Sequence, residues 1–269
     1  MMNKVIERQL IERIKKDPWS LKDIEEQTED MCLAAVNEKG YTLQYVNSQT
    51  EKICLVAVKQ NGLALQYVKN QTEEICLEAV KEDGHALQFV KHQTEEICLE
   101  AVKQETDAMQ FVKDQTERVC IAAIRKNTYN SILHIKNLTE NLAIEAVKYS
   151  PLSLEMIKDQ SEKICLEAVK VSGDALKYAN VKTMKVCKTA LNNTINAIFY
   201  LDLKQKNMCI VALKAMAKDE YKSERILTEI INNFHEDNSI VNFYTKRKLW
   251  KYVNFNDLNC ELNKYLMLI

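Results

Sequence analysis

The sequence predicts an all-α solenoid of about ten 22-residue helix-pair repeats closed by a helical C-terminal cap. Three observations predict it. All four glycines (Gly40, Gly62, Gly84, Gly173) and both prolines (Pro18, Pro151) occupy one position of a 22-residue register. Eight of the nine cysteines occupy another: Cys32, Cys54, Cys76, Cys98, Cys120, Cys165, Cys187 and Cys209. Apolar residues recur at spacings of three and four in two stripes per unit, which is the pattern of a helix face and not the alternation of a strand. Turn-formers and thiols held in one register mark an array of a single small unit.

Positions are counted from the Thr or Ser that opens each unit, taken as zero: Thr28, Thr50, Thr72, Thr94, Thr116, Thr139, Ser161 and Thr183. The clearest copy, TEEICLEAVKEDGHALQFVKHQ, runs from Thr72 to Gln93. An irregular capping unit covers residues 1–27, the array 28–215, and a different tail 216–269. One extra residue near Asn130–Ile132 makes the Thr116 unit 23 residues long.

The elements follow in order. The N-terminal stretch to Lys16 carries Ile6, Leu10, Ile11 and Ile14 on one amphipathic helix and lacks the apolar core of a signal peptide. In each repeat the hydroxyl at position 0 caps a first helix, and the Glu that usually follows faces the positive end of its dipole. Position 7 is alanine in nine consecutive units: Ala35, Ala57, Ala79, Ala101, Ala123, Ala146, Ala168, Ala190 and Ala212. A side chain this small lets helix axes approach closely, and anything larger would overpack.

Position 11 holds Asp17, Asn61, Asp83, Asn127, Ser150, Ser172 and Thr194, the residue types that cap a second helix, with Lys39 and Glu105 as exceptions. Position 12 carries glycine or proline. Proline cannot take positive φ, so this position is a helix junction and not a left-handed helix stop. The second apolar stripe falls at positions 14, 15, 17 and 18 and includes Tyr45, Tyr67, Phe89 and Phe111. Both helices are expected to be about 8–10 residues long, too short to stand alone in water, so each must bury its stripe on its neighbours. The tail gathers Tyr221, Phe234, Phe243, Tyr244, Trp250, Tyr252, Phe255 and Tyr265, which are expected to seal the exposed apolar end of the stack.

Composition excludes several functions. Thirty-seven basic and 38 acidic residues leave a net charge of −1, giving no overall pull toward nucleic acid or acidic membranes. No apolar run approaches the length of a membrane span. Nine cysteines without a secretion signal point to a reducing compartment, hence the cytoplasm. The cysteine column reads as core packing, where a thiol acts as a small hydrophobe. His85 and His92 stand roughly 10 Å apart along one helix, too far for one ion. CxxC, HExxH, GxSxG and Gly-rich phosphate loops are missing. The expectation is therefore a protein with no catalytic residues, metal or cofactor.

Two basic columns are the sharpest candidate surface. Position 19 places Lys69, Lys91, Lys113, Lys136 and Lys158 in line, and position 9 places Lys59, Lys81, Lys103, Arg125, Lys148 and Lys170. Such lines could track a phosphate backbone. They also sit in last helical turns, where cations suit the dipole, and Glu78, Glu100, Glu145 and Glu167 at position 6 can pair with position 9. Glutamines form columns at position 16 (Gln44, Gln66, Gln88, Gln110) and position 21 (Gln49, Gln71, Gln93, Gln115, Gln160), suited to repeat-to-repeat hydrogen bonds or to lining a peptide groove. The run Thr245-Lys246-Arg247-Lys248 reads as a solvated helix end or a localisation signal.

The motif I/V-C-L-x-A-V-K-x-x-G-x-A-L-Q-Y/F-V resembles an uncharacterised repeat family, a domain of unknown function abundant in giant DNA viruses of the mimivirus group. The likeness is clear over Thr28–Gln115 and Ser161–Lys182 and weakens where Thr106, Thr128, Pro151 or Ile195 replaces glycine. It brings no catalytic residues and implies a viral protein acting in host cytoplasm. The expectation is a right-handed solenoid serving as a non-enzymatic scaffold for an unidentified protein partner. The alternatives are a nucleic-acid binder using the lysine columns and a structural component of a virion or viral factory.

Overall fold

The computed structural model describes residues 4–218 and 224–234, and among these all regular structure is helical, in repeats stacked as an α-solenoid. The chain divides into two compact units, Met1–Leu138 and Thr139–Ile269. The first opens with an α-helix at Lys4–Lys16 and a 3₁₀-helix at Pro18–Asp23. α-Helices Glu29–Glu38, Glu51–Gln60, Glu73–Glu82, Glu95–Gln104 and Glu117–Lys126 follow. Each leads into a second helix: Gly40–Tyr45, Gly62–Tyr67, Gly84–Phe89, Thr106–Phe111 and Thr128–His134. The second unit continues with Glu140–Tyr149, Glu162–Val171 and Met184–Asn193, interleaved with Pro151–Met156, Gly173–Tyr178 and Ile195–Tyr200. Its last described elements are α-helices Lys206–Lys218 and Glu224–Phe234. Within each unit every first helix packs on the next first helix, and every second helix on the next second helix.

The second helices differ from expectation. They are 3₁₀-helices of six residues, apart from the seven-residue α-helix Thr128–His134. Length explains the choice. A 3₁₀-helix rises about 2.0 Å per residue, so six residues return about 12 Å, close to the roughly 15 Å of a ten-residue α-helix. The extra residue of the Thr116 unit relaxes this demand, and there Ser131 N–H bonds the Asn127 carbonyl in α-helical register.

Three residues per turn also set which positions are buried. Positions 12, 15 and 18 share the inward edge, as Gly62, Leu65 and Val68 show. Positions 14 and 17 share a flank, where the small Ala64 is buried and the larger Tyr67 emerges half-exposed. Tyr45, Phe89 and Phe111 are half-exposed in the same way, so these aromatics are not the fully buried stripe that a 3.6-residue period predicts.

Caps follow the sequence closely. All eight position-0 hydroxyls accept the N–H three residues on. Asp17, Asn61, Asp83, Asn127 and Thr194 cap the second helices. Ser150 and Ser172 stand at the same place without a side-chain cap bond, contrary to expectation. The nine column alanines are all fully buried. The leading segment is less irregular than its sequence suggests: Asp17 caps, and Ile14 and Leu21 are buried at positions 8 and 15. In the tail, Ile226, Leu227 and Ile230 are buried on the last described helix. Tyr221, Phe243, Tyr244, Trp250, Tyr252, Phe255, Tyr265 and the Thr245–Lys248 run lie outside the described residues, as does the ninth cysteine, Cys260. Of Phe234 only the backbone is described.

Glycine at position 12 has a steric origin. A Cβ on Gly40, Gly62, Gly84 or Gly173 would stand 2.4–2.7 Å from the carbonyl oxygen of the next repeat's alanine: Ala57, Ala79, Ala101 or Ala190. None of the four has the left-handed backbone, as the shared use of proline requires. The 3₁₀-helix makes its most extensive contact with the next α-helix at these four junctions and less at Pro18, Thr106, Pro151 and Ile195. Glycine and alanine therefore act as a pair that sets the closest spacing between repeats.

Gly62→Ala places its methyl 2.4 Å from a backbone oxygen that cannot rotate away. Chemical denaturation should show a loss of about 1–3 kcal/mol.

Candidate functional site

The position-21 glutamines connect the repeats. Gln49 Nε2 donates to the Tyr67 carbonyl of the next repeat at 2.9 Å, and Gln49 Oε1 accepts the Lys69 N–H at 3.0 Å. Gln71 joins Phe89 and Lys91 in the same way, Gln93 joins Phe111 and Lys113, and Gln115 joins His134 and Lys136. In the second unit Gln160 joins Tyr178 and Asn180. Gln27 does this from the leading unit, to Tyr45 and Asn47. Each primary amide has one donor face and one acceptor face, and the turn after a 3₁₀-helix offers one free carbonyl and one free N–H. The expected repeat-to-repeat role is therefore met at position 21. At position 16, Gln44, Gln66 and Gln88 instead bond the carbonyl three residues back in their own helix, leaving their outer faces in solvent.

The cysteines complete this arrangement. Cys32, Cys54, Cys76, Cys98 and Cys165 direct Sγ at the oxygen of the glutamine five residues earlier, at 3.4–3.8 Å. The column is therefore more than packing. All eight thiols are free and buried. Burial raises each above its ordinary range, Cys32 and Cys98 to about 11 and Cys209 to about 12. Such thiols are poor nucleophiles and poor metal ligands at neutral pH.

Other columns are likewise engaged between repeats. The cap hydroxyls of Thr72, Thr94 and Thr116 donate to Glu51, Glu73 and Glu95 of the preceding repeat, and Ser161 and Thr183 to Glu140 and Glu162. With Arg118 alongside, Thr116 holds the Glu95 carboxyl below the usual carboxylate range. The position-19 lysines are exposed, yet their ammonium groups bond backbone carbonyls one repeat back. Lys69 reaches Asn47, Lys91 reaches Lys69, Lys113 reaches Val90 and Lys91, and Lys136 reaches Val112 and Lys113. Lys158 holds the same position, exposed, in the second unit. At position 9, Lys81, Lys103 and Lys170 pair with Glu78, Glu100 and Glu167 as the spacing predicts, and Lys59 reaches Glu78 across the repeat.

What remains open is the outer edge of the 3₁₀ layer, positions 13, 16 and 17. In the first unit Trp19 meets Tyr45 edge-on at 6.1 Å and Tyr41 meets Tyr67 at 6.0 Å. Trp19 is exposed and the three tyrosines are half-exposed, and the amides of Gln44 and Gln66 lie between these rings along the chain. On the α layer a groove of about 730 Å³ has Leu99, Ile121 and Ala122 in its lining with Glu95, Lys103, Arg118 and Arg125.

One junction carries a different set. His85 Nδ1 lies 3.2 Å from Asp83 Oδ1 and 2.5 Å from Glu105 Oε2. Asp83 is a cap and Glu105 is the exception at the next cap position; its side chain bonds no N–H of its own helix and points back one repeat. The sequence pairing of His85 with His92 missed this group, because the partner lies 20 residues on. The signal was Glu105 itself, an acid at a cap position one methylene too long to cap.

Residues 72–117 match the model of a family described as a domain of unknown function, DUF4116. The match spans the Thr72 and Thr94 units. No curated protein and no solved structure matches the chain. Among the described residues no helix is long and apolar enough to cross a membrane.

Gln71→Leu would bare the Phe89 carbonyl and the Lys91 N–H, costing about 1–3 kcal/mol for each group left unsatisfied. If Cys76 acts through that amide, Cys76→Ala should cost less in the Gln71→Leu background, with a coupling of about 0.5 kcal/mol or more in a double-mutant cycle. The raised thiols set a pH window. A folded pKa above the unfolded value of about 8.5 means the thiols stabilise the fold below that pH and lose their contribution as pH rises toward about 11. Urea midpoints should fall across this window, and fall less in the Cys32→Ala, Cys98→Ala double variant.

Proposed function

We propose that the chain is a non-enzymatic scaffold for protein–protein interaction, and that its partner docks on the outer edge of the 3₁₀ layer in the first unit. The exposed ring of Trp19 and the half-exposed rings of Tyr41, Tyr45 and Tyr67, interspersed along the chain with the exposed amides of Gln44 and Gln66, carry this reading. Tyrosine and tryptophan with hydrogen-bonding amides between them make up the energetic centre of many protein interfaces. The nucleic-acid reading is weaker, because Lys69, Lys91, Lys113 and Lys136 already donate to backbone carbonyls. The likeness to a repeat family of giant DNA viruses supports a viral origin and action in the cytoplasm of a host cell.

Affinity capture from host-cell lysate with the full chain at micromolar concentration tests this. Captured protein should fall at least about tenfold for the Tyr41→Ala, Tyr67→Ala double variant, the loss of a hot-spot pair, with circular dichroism confirming its fold. No protein above background, or equal capture by the variant, argues against the reading. Salt-sensitive retention of RNA or DNA, abolished by charge reversal at Lys69, Lys91 and Lys113, would favour the nucleic-acid alternative.

A further inference from the structure

We propose that Asp83, His85 and Glu105 bind a single divalent transition-metal ion of the zinc type across the junction of two repeats. The donor atoms of the three side chains lie within 4.8 Å of one another, and all three residues are half-buried. Metal–ligand distances of about 2.0–2.2 Å place neighbouring donors of a tetrahedral ion roughly 3.3 Å apart. Asp83 Oδ1 and His85 Nδ1 stand at 3.2 Å. The 2.5 Å separation of His85 Nδ1 and Glu105 Oε2 needs only a small opening of the flexible glutamate.

The three donors are held by different means. Asp83 Oδ1 is fixed by the His85 backbone N–H at 2.8 Å, which leaves its remaining lone pair for an ion. The imidazole is braced edge-on by Phe111 at 6.1 Å. Glu105, from the following repeat, is released from capping. Two carboxylates and a neutral imidazole carry a charge of −2, which a divalent ion neutralises. One imidazole among the ligands selects zinc, copper or nickel over magnesium and calcium. Three protein ligands leave a position for water. Neighbouring junctions carry Trp19, Tyr41, Leu63 or Asp107 at position 13, so the set belongs to this junction alone in the first unit.

Titration calorimetry of the full, reduced chain with Zn²⁺ tests the site. One ion should bind per chain. His85→Ala and Glu105→Gln should each weaken binding by at least about tenfold, and His92→Ala, on the same repeat but outside the cluster, should leave it unchanged. Glu105→Gln keeps the shape of the side chain, so a folding defect in His85→Ala does not blunt the test. With Co²⁺ in place of Zn²⁺, the spectrum should lack the intense near-ultraviolet band of thiolate ligation. Lack of stoichiometric binding, equal affinity in the Glu105→Gln variant, or a thiolate band would overturn the proposal.

Discussion

A glutamine amide at the end of one repeat bonds a carbonyl and an N–H in the turn of the next, and the stack depends on this contact. A six-residue 3₁₀-helix ends with little of its backbone satisfied, and the chain must then turn sharply to reach the next cap. Gln71, set between Phe89 and Lys91, supplies a donor and an acceptor from one planar group, at 2.9 and 3.0 Å. The bonds run between repeats, so a unit alone would leave these groups to water. Neither the ten-residue α-helix nor the 3₁₀-helix is stable by itself. Repeat stability is thus an interface property, as in other linear arrays.

Substitutions in the clamp follow the same chemistry. Lys182 stands where glutamine is expected, and its ammonium donates to the Tyr200 carbonyl at 2.9 Å, reproducing the donor arm and lacking the acceptor. There the thiol of Cys187 turns to the Lys182 backbone oxygen. Leu138 provides neither arm, and the unit after it has Ala143 where cysteine would stand. After Leu138 the amide and the thiol are lost together, whereas after Lys182 and Lys204 the cysteine stays and its thiol turns to a backbone carbonyl instead. The boundary between the two compact units falls at this same residue.

Caps, alanines and the junction were legible in the sequence because each depends on neighbours within one helix or on size alone. Thr72 caps whatever lies beyond its own turn, and Ala79 is small in any context. The features that the sequence hides depend on geometry between repeats or on helix type. A 3.6-residue period puts Tyr67 on a buried stripe; the 3₁₀ period turns it half outward. The register marks Gly62 as a helix junction but does not show that its hydrogen faces the Ala79 carbonyl of the next repeat. In sequence Cys76 is only a small hydrophobe, since the oxygen that its thiol meets is brought to it by Gln71 in the turn.

The lysine column and the Asp83–His85–Glu105 set show opposite outcomes of periodicity. A cation repeated every 22 residues attracts attention as a surface, yet repetition is what lets the ammonium groups of Lys69, Lys91, Lys113 and Lys136 meet carbonyls one repeat back, and those bonds give them a structural part. Recognition of a particular ligand needs residues that differ from one repeat to the next. Position 13 varies freely because it lies on the outer edge and meets no backbone demand. At position 11 both shorter acids, Asp17 and Asp83, cap their helices, so an acid there that does not cap is informative. Glu105 gives up a bond to its own helix and faces the imidazole of the preceding repeat at 2.5 Å. A departure from the register, where the register has a physical purpose, is therefore a better guide to function in this chain than the register itself.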